Sequence, residues 1–71
     1  MSTKAELLAA LEKIPDDEPL FLVRGQDKLA PGLVRYWAGA ARARGAGSKK
    51  VAEARACAVA MERWPKRKYP D

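Results

Sequence analysis

Five prolines, at positions 15, 19, 31, 65 and 70, set the limits of this chain's fold. A proline has no amide hydrogen to give a helix interior, and it pushes the residue before it out of the α region. Helix is therefore confined to three windows: before Pro15, after Pro31, and up to Pro65. Each window carries apolar side chains at helical spacing. In the first, Thr3 and Glu6 have the spacing of a capping box, and Leu7, Leu8, Leu11 and Ile14 form one stripe. That stripe is ordinary core material or, alternatively, a face for a partner.

The second helix starts near Ala30, with Pro31 in its first turn, where a missing amide hydrogen costs nothing. Leu33, Val34, Trp37 and Ala41 make its apolar face, and Trp37 is the expected core anchor because of its size. Gly45-Ala46-Gly47 stops it, and Ser48 is placed to cap the third helix, from about Lys49 to Trp64. Val51, Ala54, Cys57, Ala58, Met61 and Trp64 form the inner face of that helix. Ala52, Ala56 and Ala60 add a second stripe of small residues, the pattern of a helix covered on two sides. With all stripes pooled, Leu11, Trp37 and Met61 are expected to be buried together.

Between the first two helices, PDDEP at 15–19 reads as a rigid acidic linker and LFLVR at 20–24 as a short strand. Gly25-Gln26-Asp27 then reads as a turn, with Asp27 bonding the backbone ahead of it. A strand cannot satisfy its backbone alone, and no second run of similar character exists. The segment therefore pairs with its own copy, pairs with the tail near Lys68 and Tyr69, or stays without a ladder. Pairing with its own copy implies a homodimer through Leu20, Phe21, Leu22 and Val23. The expected fold is mainly α: a small three-helix domain with one short extended or β segment between helix 1 and helix 2. It is a single domain over 1–71, with 65–71 a basic tail made extended or mobile by its two prolines.

Composition excludes several function classes. The 71 residues contain no histidine and one cysteine, so neither an internal disulfide nor an ordinary zinc site is expected. Cys57 sits in an apolar run and reads as a small buried hydrophobe. Asp16, Asp17 and Glu18 are adjacent, point in different directions and lack further ligands. GAGSKK at 45–50 lacks the spacing and preceding strand of a phosphate-binding loop. No cofactor, metal or catalytic residue is expected, and the chain reads as a non-enzyme. No apolar run approaches the roughly 20 residues of a membrane span. Glu6 and Glu12 interrupt the N-terminal apolar stretch, the wrong pattern for a secretory signal, so the expected location is cytoplasmic.

Charge is more informative. Residues 1–27 hold three cations and six anions, whereas residues 28–71 hold eleven cations and three anions. The front is acidic at −3 and the back basic at +8. A basic surface of this kind attracts nucleic acid or an acidic protein surface. The candidate binding residues are Arg42, Arg44, Lys49, Lys50, Arg55, Arg63, Lys66, Arg67 and Lys68. The first five fall around a glycine turn whose neighbours, Ala41, Gly45, Val51 and Ala54, match the small and apolar positions of a helix-turn-helix. Arg44 and the long apolar run ACAVAM depart from that motif. The last four surround Trp64 and Tyr69, and aromatics interleaved with cations can stack on bases. The other meaning of that run is a helix-ending anchor followed by a solvated tail.

The segment PLFLVRGQDKLAPGLVRYWA and the ending AMERWPKRKYPD resemble small proteins encoded in proteobacterial genomes and their phages. The resemblance covers residues 19–71 and brings no activity with it. It implies one further class, a phage-type inhibitor that binds and blocks a host protein complex such as a defence system. The readings are thus a non-enzymatic basic binding module, a helix-turn-helix DNA-binding regulator, and such an inhibitor.

Overall fold

The computed structural model describes residues 3–70. Met1, Ser2 and Asp71 lie outside the described residues, Asp71 being one of the three anions of the basic half. The chain is mainly α, with three helices: α1 over Lys4–Glu12, α2 over Ala30–Ala43 and α3 over Ser48–Glu62.

Local chemistry explains where each helix begins and ends. Thr3 caps α1, its hydroxyl accepting from the Glu6 amide at 3.4 Å. Ahead of α2, the Asp27 carboxylate accepts from the Leu29 amide at 2.8 Å and the Asp27 carbonyl from the Ala30 amide at 3.0 Å. These two bonds do the work of a cap that Leu29 itself cannot supply. At its far end α2 closes with a left-handed Gly45, φ +89°. The Ala46 amide reaches back to the Ala41 carbonyl and the Gly45 amide to that of Arg42, the paired bonds of a Schellman stop. Gly47, not Ser48, takes the capping position of α3 and offers no side-chain bond. The early start puts Ser48 inside the first turn, which corrects its expected role.

Only residues 44–47 separate α2 from α3, and the two helices pack side by side. Arg35 of α2 holds Glu62, the last residue of α3, in a forked ion pair, with Nη1 to Oε2 at 2.9 Å. The pair is antiparallel, and its contact is made of small residues. Among the described residues, Ala30, Ala38, Val51 and Ala58 are the buried hydrophobic side chains, and no large side chain is fully buried. Alanine at the contact lets two helix backbones approach closely, which rotates the bulky residues outward. Trp37 is therefore 48% exposed instead of anchoring the core, and Trp64 is 57% exposed at the end of α3. Ala52 and Ala56 of the second small-residue stripe face solvent.

α1 departs further from expectation. No part of it approaches α2 or α3, and Leu7, Leu8 and Leu11 are all exposed. The expected cluster of Leu11, Trp37 and Met61 does not form. Residues 20–24 belong to no helix and no ladder, and Phe21 is 87% exposed. The tail pairs a few residues further on. The Lys28 amide donates to the Lys68 carbonyl at 2.8 Å and the Lys68 amide to the Gln26 carbonyl at 2.7 Å, an isolated parallel bridge centred on Asp27. Gly25 lies against the end of α3, where an added Cβ would meet Met61 at 3.7 Å. The turn at 25–28 is thereby held between α3 and the tail.

Candidate functional site

The hairpin separates the candidate cations into two groups at its opposite ends. At the α2–α3 turn stand Arg42 and Arg44 from α2 and Lys49, Lys50 and Arg55 from α3. All five are exposed, and none makes an ion pair with a described residue. The Schellman stop fixes the angle at which the chain turns, which brings Arg42 and Arg55 to the walls of one cleft. The cleft is open to solvent, about 630 Å³ in volume, and is completed by Ala46, Ser48, Val51 and Ala52.

The electrostatics of this end run against helix stability. A helix N-terminus carries a partial positive charge and is ordinarily matched with Asp or Glu. The first turn of α3 has no acidic residue, no side-chain cap, and lysines at 49 and 50. Arg42, in the last turn of α2, sits at the end where the dipole favours a cation. The whole turn thus gathers positive charge, with Glu53 one turn along as the adjacent anion in sequence. A local rule broken in this way is a mark of a site shaped for something other than the fold.

The second group is used differently. Arg67 is half-buried, and its guanidinium donates to the carbonyls of Gly25 and Asp27 at 3.4 Å each. Lys68 contributes the backbone bridge already described. The ammonium of Lys28 lies 5.1 Å from the centre of the Tyr69 ring, so that face of the ring already meets a cation. Arg63 and Lys66 remain exposed. The tail residues therefore fasten the chain's end to the turn at 25–28, beside a smaller cleft of about 220 Å³ that includes Leu22, Arg24 and Tyr69.

Arg35 and Glu62 carry the resolved shifts in proton affinity. The hydrogen bonds from Arg35 hold the Glu62 carboxyl below the usual range, and the charges of Arg35, Arg67 and Arg63 act in the same direction. The same bonds raise the Arg35 guanidinium further. Nothing in the sequence signals this pair, because the partners are 27 residues apart and meet only through the hairpin register. Cys57 is half-buried on α3. Among the described residues, no three of His, Cys, Asp and Glu gather to hold a metal ion, and no helix is long and apolar enough to cross a membrane.

No protein-family model matches the chain, and no curated protein or solved structure matches it significantly.

Proposed function

We propose that this protein is a non-catalytic basic binding module whose α2–α3 turn engages the phosphate backbone of a nucleic acid. The observation that supports it is that Arg42 and Arg55 line one cleft beside the α2–α3 turn, with Arg44, Lys49 and Lys50 close to them in the chain, all five exposed and without ion-pair partners among the described residues. Cations concentrated around one turn attract a polyanion, which releases its own counterions as it binds.

A helix-turn-helix regulator is the second reading. In its favour, Ala41 and Ala54 are half-buried, Val51 is buried, and Gly45 has the positive φ that the turn needs. The Arg35–Glu62 pair counts the other way. Arg35 and Glu62 lie about 13 and 21 Å from the turn along their helices at 1.5 Å per residue. Helices crossing at the roughly 90–120° of that motif would hold the two far apart. A closed hairpin presents its turn, and phosphate contact suits a turn better than insertion of α3 into a groove does.

Titration of a labelled DNA duplex against salt tests the proposal. Affinity is expected to fall steeply with salt, each neutralised phosphate adding about 0.9 to the log–log slope. Replacing Lys49 and Lys50, or Arg42 and Arg55, with alanine should lower both affinity and slope, whereas Lys66→Ala should change them little. Equal losses from Lys66→Ala would reduce binding to general electrostatics. A duplex that does not bind at low salt, while an acidic polypeptide does, would replace nucleic acid by an acidic protein surface.

A further inference from the structure

Two apolar stripes in this chain cover nothing. One lies on α1 and comprises Leu7, Leu8 and Leu11. The other runs from Leu29, just ahead of α2, to Leu33 and Tyr36 within it, the last 80% exposed. Their spacing of four and three places them on one side of α2, turned away from Ala30, Ala38 and Ala41, which face α3. Leu7 to Leu11 extend about 6 Å along α1, and Leu29 to Tyr36 about 10 Å, so the longer stripe has room for the shorter.

The surface area gives the size of what is missing. A compact monomer of this mass exposes roughly 4,400 Å², and this chain exposes 6106 Å². The excess of about 1,700 Å², to which Leu20, Phe21 and Leu22 contribute beside the two stripes, is of the order of the roughly 1,000–2,500 Å² that each partner buries in an obligate homodimer. The radius of gyration agrees, at 12.9 Å against roughly 11 Å for a compact chain of this length. Charge points to the identity of the occupant. Glu6, Glu12 and the acidic run at 16–18 flank the α1 stripe, with Lys4 and Lys13 as the local cations, while the hairpin is strongly basic. The acidic arm and the basic hairpin of one sequence are thus complementary to each other.

We infer that a second copy of this chain covers both stripes: α1 of each protomer packs on the Leu29–Tyr36 face of its partner's α2. The contact repeats about a two-fold axis, since the same two patches meet twice. This inference shares the basic hairpin with the phosphate-binding reading, but its test contains no nucleic acid, so the failure of one is distinguishable from the failure of the other.

Sedimentation should give twice the chain mass for the wild type and once for Leu33→Glu and for Leu8→Glu. The second variant changes a residue outside the hairpin, so loss of the dimer there cannot be assigned to a misfolded α2. Leu8→Cys together with Leu33→Cys in a Cys57→Ala chain should, on oxidation, link two chains covalently. A wild-type monomer at high concentration would overturn the inference. So would a disulfide that closes within one chain, because α1 would then fold back on its own α2.

Discussion

Leu7, Leu8 and Leu11 of α1 are each more than two-fifths exposed, whereas Ala38 and Ala58 of the hairpin have no exposed surface. The larger hydrophobes lie outside and the smaller ones inside. What decides burial here is the fit of one helix against another, and alanine gives the closest fit. The hairpin also has devices that the N-terminal arm lacks: a Schellman stop, a forked ion pair and a tail that fastens the preceding turn. The arm has a capped helix and an apolar stripe, the equipment of a part completed by another surface.

Overpacking the close contact is the strongest way to break this difference. Ala58→Leu forces a large side chain between α2 and α3 and should cost about 1–3 kcal/mol, read as a lower midpoint in thermal unfolding. Leu11→Ala, introduced into the monomeric Leu33→Glu chain, should leave that midpoint nearly unchanged. Equal losses from both would show that the arm belongs to the same core.

Conformational strain at the turn comes next. Gly45 has no neighbour within 4 Å for an added Cβ, so Gly45→Ala meets only its φ of +89° and should cost about 1–2 kcal/mol. Gly47, at φ −60° with equally open surroundings, should accept alanine within about 0.5 kcal/mol. Denaturant midpoints of the two variants check this contrast.

Much of this architecture is legible in residues of known local chemistry. Thr3, Asp27, Pro31 and Gly45 act through bonds or dihedral limits within a few positions, so their roles follow from sequence. The buried faces do not. Trp37 reads as an anchor by size, yet its place is set by how closely Ala38 lets α3 approach. The cations at the turn are equally visible as residue types. That Arg67 is committed to the carbonyls of Gly25 and Asp27, while Arg42 and Arg55 stay free around a cleft, depends on contacts between distant segments.

The arm's own order can be separated from the hairpin's. Thr3→Ala removes the cap of α1 and should cost that helix roughly 1 kcal/mol. Backbone amide shifts should report the change in α1 and leave α2 and α3 unaltered.

The smallest expected effect is on pH dependence. Glu62 has its proton affinity lowered in the fold, so its contribution is present above the ordinary carboxyl value of 4.5. It is lost as the pH falls through the lower, folded value. Glu62→Gln should flatten the acid side of the stability curve. Because the pair is exposed, salt should diminish the effect.

Hydrogen exchange resolved by residue, at dilute and at high concentration, tests the division of the molecule most directly. The account predicts that α2 and α3 amides are the better protected at both concentrations, and that α1 gains protection only as the second copy binds. Protection of α1 equal to that of the hairpin, unchanged on dilution into the monomer range, would contradict it.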